Sequence, residues 1–448
     1  MHKVYDVIII GGGNAGFGAS SVLAEGGKSI AFIEEDAFGG TCPNRGCTPK
    51  KVLVAAAASL DAIARASAHG IEVGTPKLDW AALIDRKDEM IGFIPGAMTG
   101  VAEKRGDVYR GRARFTGTNT VAVGDDILEA RDIIIATGSK PRPLSLPGAE
   151  LLITSDEILS QREQPDEVVF IGGGVIAMEF SHVYARAGTK VTILEAMPQL
   201  LPRMDVDAVA QVRAETERLG VTVLTGVSVK AVLKAGARRQ VVFELDDQEH
   251  TVDADAVING AGRVANVDGL DLKAAGLVHD GVRIDVHPHL QSTSNPSVWV
   301  AGDALVHSAQ LSPIATHEGQ TVGRNIIEGT TTAPDYFAIP SSVYTVPSFA
   351  SVGLTEAGAR EKTGNLRVAV NDMSGWFSGK SYAETAAWSK VLVDEDTDRI
   401  LGAHMVGHHA DDLIHLFAFA MKHGIAASAL KETIYAFPSF ASDVKNLL

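Results

Sequence analysis

Two short glycine patterns, each set between an apolar strand and a helix, constrain this chain more than any other feature. The stretch Val4-Tyr5-Asp6-Val7-Ile8-Ile9-Ile10 is an apolar run fit for a buried parallel strand. Gly11-x-Gly13-x-x-Gly16 follows at once and opens an Ala/Ser-rich helix, and a second strand, Ser29 to Ile33, ends in Glu34. The arrangement recurs as Val168 to Ile171, Gly172-x-Gly174-x-x-Ala177, a helix to Ala187, and a strand from Lys190 to Leu194 that ends in Glu195. Such glycines permit a tight turn, close approach to a pyrophosphate and close helix–strand packing. The terminal acid accepts hydrogen bonds from an adenosine ribose. Two units in one chain predict two different bound nucleotides.

Both cysteines of the chain lie between Gly39 and Lys51, five positions apart. Two thiols make no disulfide scaffold, so a close pair points to redox chemistry. Gly39, Gly40 and Gly46 let the backbone turn, Pro49 suits a first helical turn, and Lys50 to Ala58 are good helix formers. Cys47 is thereby placed at a helix N-terminus, where the amide dipoles favour a thiolate. The length of 448 residues predicts about three domains, and 45 glycines suit an α/β protein with many tight turns. A net charge of −15 argues against nucleic-acid and anionic-membrane partners. A first strand at Val4 leaves no room for a signal peptide, and no apolar run approaches the length of a membrane span. These features predict a soluble cytoplasmic protein.

The stretch GGTCPNRGCTPKK resembles the redox-active disulfide signature of class I pyridine nucleotide-disulfide oxidoreductases. That family includes dihydrolipoamide dehydrogenase, glutathione reductase and mercuric reductase, and the resemblance runs over essentially the whole chain. It implies an α/β fold of two Rossmann-like nucleotide-binding domains, for FAD and NAD, plus an α+β C-terminal dimerisation domain. The FAD domain is expected at 1–142 and 264–335, the NAD(P) domain at 143–263, and the dimerisation domain at 336–448. By resemblance, Cys42 attacks the acceptor and Cys47 faces the flavin as its charge-transfer thiolate. Glu179 matches the glutamate that pairs with the lysine after the cysteines, and either Lys50 or Lys51 is that lysine. Gly40 and Thr41, the Ala136-Thr137-Gly138 element, and Ala301-Gly302-Asp303 resemble further flavin contacts, and Gly262 the return from the nucleotide domain. A helix starting near Leu311 to Pro313 would point its positive end at the flavin pyrimidine edge.

Glu195 suits the free 2′-hydroxyl of NADH and repels the extra phosphate of NADPH. Ala196 and Pro202 stand where NADPH-using glutathione reductases carry basic residues. Ala177 and Arg203 point the other way, and the carboxylate outweighs them, so NADH is the expected donor. A second helical stretch is predicted over 80–105, interrupted at Pro95-Gly96. Beyond Pro340, strands over 342–346, 366–371, 389–393 and 400–406 and a helix over 412–423 resemble the dimerisation domain, which predicts a homodimer.

One departure limits the substrate. The family's C-terminal His-Pro motif, with a glutamate shortly after, reads Phe437-Pro438 and Ser442 here, so the usual proton donor is missing. Ser21 and Val22 replace the arginines with which glutathione reductases hold peptide carboxylates. His317, His404, His408, His409 and Tyr435 are candidate replacements for the lost acid. His408 and His409 with Asp411 and Asp412 fit no standard metal spacing, and no metal site is predicted. The expected function is electron transfer from NADH through FAD and the Cys42–Cys47 disulfide to a small acceptor, dihydrolipoamide dehydrogenase-like. The alternatives are reduction of a metal ion, quinone or other small oxidised molecule needing no histidine acid, and a redox-sensing or lipoyl-complex component.

Overall fold

The computed structural model describes residues 1–281, 283–305 and 309–448. It divides into two compact units. The first comprises Met1–Lys50, Asp85–Arg142 and Arg263–Tyr336. Its seven-stranded sheet runs in the order Asp107–Arg110, Ile30–Glu34, His2–Ile10, Asp126–Ile135, Thr120–Val123 and Ala113–Phe115, with Val298–Val300 also paired to Asp126–Ile135. The strands around His2–Ile10 are parallel, and Val7, Ile8, Ile9, Ile133, Ile134 and Ile135 have no solvent exposure. Unbroken Val/Ile runs are what a strand covered on both faces requires. Helix Asn14–Glu25 packs on helix Ser312–Glu328, so closely that a Cβ on Gly319 would lie 2.0 Å from the Ala15 carbonyl oxygen. That contact brings the start of the second helix to the first glycine loop.

The second unit comprises Lys51–Ile84, Pro143–Gly262 and Phe337–Leu448. A four-stranded parallel sheet, ordered Thr222–Thr225, Lys190–Glu195, Glu167–Ile171 and Ala256–Asn259, carries the second glycine pattern. A five-stranded antiparallel sheet is ordered Ser341–Val343, Ser348–Gly353, Arg399–Gly407, Trp388–Asp394 and Leu366–Asp372, and helix Ala410–Lys422 packs on it. The mixed α/β architecture is the expected one.

Two expectations are corrected. The break in the 80–105 helix falls at Gly92-Phe93, between Trp80–Ile91 and Ile94–Arg105, and Pro95 sits in the first turn of the second helix, where its missing N–H costs nothing. The helical stretch Thr41–His69 is long and apolar enough to cross a membrane by length and composition, which the sequence reading had not found; 33% of its window is buried. Within the second unit its later turns are amphipathic, with Leu53 and Ala57 in the core and Asp61 and Arg65 ion-paired to Arg186 and Glu384. Ion pairs fixed into a protein core are the mark of a packed helix rather than a lipid-facing one.

Lys390, on strand Trp388–Asp394, is fully buried with its ammonium between Asp205 (3.0 Å), Glu356 (2.8 Å) and Asp207. Lys390→Met is expected to destabilise the protein by about 3–5 kcal/mol, because the Asp205 carboxylate would stay buried without its counter-charge. The denaturant midpoint reads this out, and an unchanged midpoint would show the carboxylates to be hydrated. The hydrogen bond from Lys390 holds the Glu356 carboxyl below its ordinary range. A depressed folded-state pKa stabilises above the ordinary carboxylate pKa, and that contribution fades as pH falls below about 4.

Candidate active site

The redox pair is built from two consecutive helices, Thr41–Arg45 and Cys47–Arg65. They begin where Gly40, at φ +69°, backs onto the first glycine loop; a Cβ there would lie 2.7 Å from the Gly13 Cα. Both cysteines are free thiols, the reduced form of the pair, with Cys42 half-buried and Cys47 exposed as the first residue of a 19-residue helix. Their acidities are driven apart. The hydrogen bond Cys42 shares with Cys47, together with burial, pushes Cys42 far above an ordinary thiol. The same hydrogen bond lowers Cys47 to about 6 against the effect of burial, helped by the Ser312 hydroxyl and the positive charge of Lys50. Both shifts favour the proton on Cys42 and the negative charge on Cys47.

The two neighbouring lysines have different partners. Lys50 lies in the same unit as the cysteines and contributes to the thiolate. Lys51 sits 3.3 Å from Asp411 Oδ2 and 3.8 Å from the Tyr344 ring centroid, and Asp411 Oδ1 accepts a hydrogen bond from Ser348 (3.0 Å). Glu179 is buried, and its Oε1 accepts the Tyr344 backbone N–H at 2.9 Å.

The two glycine units share their turn conformation and the way each holds its acid. Gly11 and Gly172 adopt φ +111° and +104°, and a Cβ on either would strike backbone carbonyl oxygen, of Ala136 at 2.2 Å and of Gly260 at 2.5 Å. Glu34 accepts from the Gly12 N–H (2.7 Å) and the Asp36 N–H (2.8 Å). Glu195 accepts from the Gly173 N–H (2.5 Å) and the Met197 N–H (2.7 Å). Each acid is thus fixed at the mouth of its loop with lone pairs left for a ribose. A Cβ on Gly16 would meet the Gly11 carbonyl oxygen at 2.2 Å, whereas the second unit accommodates Ala177, fully buried, at that place. The middle glycines, Gly12 and Gly173, whose N–H groups hold the two acids, are positions that sequence reasoning missed, because the motif marks them only as x.

A flavin nucleotide fits the first unit on the structure's own terms. Gly13 and Gly40 leave a bare backbone cradle, with Thr41 opening the next helix. The buried Thr137 hydroxyl has no hydrogen-bond partner among the described residues, and a buried hydroxyl without one implies a ligand atom or water. Gly138, next in sequence, and Gly302 sit at positive φ in the same unit; Gly262, at the end of a segment of the second unit, is also at positive φ. Asp303 follows Gly302 at the end of strand Val298–Val300; burial pushes its carboxyl up, against a hydrogen bond from Ser139 and the charge of Arg263. Arg263 Nε donates to Ser139 Oγ (2.9 Å), which donates to Asp303 Oδ2 (2.9 Å). Neither Ser139 nor Arg263 carries a sequence signal, since their contacts span more than a hundred residues.

At the C-terminus, the Phe437 ring position is 80% exposed. Ser442 is buried, locked with Ser439 in a capping box, and Asp443 accepts a hydrogen bond from Ser378. The candidate replacements are engaged elsewhere. His317 Nε2 accepts the Asp335 N–H (3.2 Å), buried His404 donates to the Leu354 carbonyl (3.0 Å), and the Tyr435 hydroxyl donates to the Leu430 carbonyl (2.8 Å). His408 lies 3.7 Å from Glu384, and His409 lies 3.4 Å from Asp412. Among the described residues no three His, Cys, Asp or Glu side chains are grouped to hold a metal ion.

Two models of one family match the chain. Residues 5–319 match the pyridine nucleotide-disulphide oxidoreductase model, and residues 339–448 match the dimerisation domain of the same family. The chain is 31% identical to a glutathione reductase of Burkholderia cepacia over 99% of its length and 98% of the relative's. It is 30% identical to a dihydrolipoyl dehydrogenase of Chlamydia muridarum, over 98% of this chain and 95% of that one. A mercuric reductase of Staphylococcus aureus is 30% identical over 98% of this chain and 81% of its own. Among solved structures, the HOCl-induced flavoprotein disulfide reductase RclA of Escherichia coli in its Cu(II) complex superposes with a TM-score of 0.88 at 27% identity. That match covers 99% of this chain and 98% of that one.

Proposed function

The chain belongs to the pyridine nucleotide-disulphide oxidoreductase family, as an NAD(P)H-dependent flavoprotein oxidoreductase, and from that premise we propose that NADH is its donor and the Cys42–Cys47 dithiol its exit to a small acceptor. The chemistry that FAD and the nicotinamide supply when bound is delivery of two electrons to the Cys42–Cys47 disulfide. Glu34, Thr137 and Asp303 would hold the flavin nucleotide, and Glu195 the nicotinamide nucleotide. With one proton taken up, the disulfide opens to a Cys42 thiol and a Cys47 thiolate. Cys42 then attacks one sulfur of the acceptor disulfide, breaking its S–S bond as the Cys42 proton passes to the first departing thiolate, and the Cys47 thiolate closes back onto Cys42 to release the second. The observation that carries this reading is the placement of two free thiols at the starts of helices Thr41–Arg45 and Cys47–Arg65, just after the Gly40 turn that backs onto the first glycine loop. The dimerisation-domain match over 339–448 supports a homodimer. A screen of NADH consumption against lipoamide, glutathione disulfide, Cu(II), Hg(II) and a quinone tests it; no consumption with any acceptor would count against it.

A second reading, reduction of a metal ion, has support of its own. Metal-ion reduction releases no thiolate leaving group that needs a proton, and Phe437 and Ser442 supply no acid. The similar RclA structure is a Cu(II) complex. A Cu(II) or Hg(II) rate well above the lipoamide rate in the same screen selects it.

For the donor, kcat/KM with NADH is expected to exceed that with NADPH by about ten- to a hundredfold, the equivalent of roughly 1–3 kcal/mol of repulsion between Glu195 and a 2′-phosphate. Glu195→Gln should narrow the gap. Equal values in the wild type would show that Arg203 or a neighbouring base outweighs the acid.

A further inference from the structure

We propose that Ser312 belongs to the redox centre, where its hydroxyl donates a hydrogen bond to the Cys47 thiolate and helps hold the negative charge on that sulfur. This deepens the reading of Cys42 and Cys47 as the electron-accepting dithiol and rests on it. Ser312 Oγ lies 3.9 Å from Cys47 Sγ, a hydrogen-bonding distance for sulfur. The serine is the first residue of helix Ser312–Glu328, yet it does no capping there: the N-cap is Leu311, without a side-chain cap bond. Its backbone is pinned from two sides. The carbonyl accepts Asn14 Nδ2 (3.4 Å), from the residue after Gly13, and Thr316 Oγ1 (3.2 Å), from the next turn. The hydroxyl is thereby held at the cysteines by the same loop that forms the first nucleotide cradle. It also acts on Cys42, lowering that thiol, but there it is outweighed by the hydrogen bond to Cys47 and by burial.

The test is the pH dependence of Cys47 alkylation by iodoacetamide in the dithiothreitol-reduced holoenzyme, with the modified residue identified by peptide mass. The wild-type midpoint is expected at about 6. Ser312→Ala should raise it by about one pH unit, the tenfold change in thiolate fraction that one charge-assisted hydrogen bond carries. Ser312→Thr, which keeps the hydroxyl, should restore the wild-type midpoint. A purely structural role would alter FAD content or melting without moving the midpoint. Should Ser312→Ala fail to retain FAD, Asn14→Ala gives a second reading, with an expected rise smaller than one unit. The inference is overturned if Ser312→Ala titrates like the wild type, or if Ser312→Thr shifts as far as Ser312→Ala. A wild-type midpoint at an ordinary thiol's value instead overturns the assignment of Cys47 as the thiolate, a separate failure.

Discussion

Cys42→Ser is expected to abolish acceptor turnover, by on the order of a thousandfold or more, while NADH still bleaches the flavin at its wild-type rate. The thiol removed is the one whose proton is retained beside the Cys47 thiolate, and serine is a far poorer nucleophile toward sulfur or a soft metal. Cys47→Ser should be equally inactive for a different reason. Cys42 would remain a protonated thiol, without its low-pKa partner to accept electrons or to resolve a mixed disulfide. The two variants therefore separate by alkylation: in Cys42→Ser the new hydroxyl can still donate to Cys47, beside Ser312 and the charge of Lys50, and keeps that thiol reactive at neutral pH, whereas Cys47→Ser leaves Cys42 raised by burial. Fast alkylation of Cys47→Ser at pH 7 would reverse the assignment of the two sulfurs.

The second large effect concerns the proton. With Phe437 exposed at the family's histidine position, reduction of ordinary disulfides should be slow near neutral pH, since positioned acid–base help is worth about a hundred- to ten-thousandfold. Phe437→His alone should recover little, because nothing orients the new ring. Ser442 is locked to Ser439, and Asp443 is one residue out of register and bonded to Ser378. Phe437→His with Ser442→Glu should exceed the single variant in lipoamide or glutathione disulfide turnover. The buried site of Ser442 implies a lower melting temperature for the double variant, from loss of the capping box. Equal rates for the single and double variants would show that a carboxylate is not needed.

What could be read in advance follows the range of the interactions. The glycine units were legible because strand, turn, helix and acid lie within about two dozen residues, and the structure fixes Glu34 and Glu195 on the loops as the spacing implies. Cys47 at a helix start was legible from Pro49 and the helix formers after it. Lys50 and Lys51 were not separable: adjacent residues on a helix point about 100° apart, so Lys51 pairs with Asp411 while the charge of Lys50 acts on Cys47. The Arg263–Ser139–Asp303 relay and the approach of Ser312 to Cys47 join segments more than a hundred residues apart and leave no local pattern. The break near Pro95 was misplaced because proline both ends helices and begins them.

The most direct test of electron exit through this dithiol without a histidine acid is a stopped-flow comparison of two half-reactions in the wild-type protein. One is flavin reduction by NADH, and the other is reoxidation of the two-electron-reduced enzyme by lipoamide at pH 7. Reoxidation at least about a hundredfold slower than reduction, and faster with Cu(II) or Hg(II) than with lipoamide, is the predicted result. Lipoamide reoxidation as fast as NADH reduction would contradict it, and would mean that another residue supplies the proton.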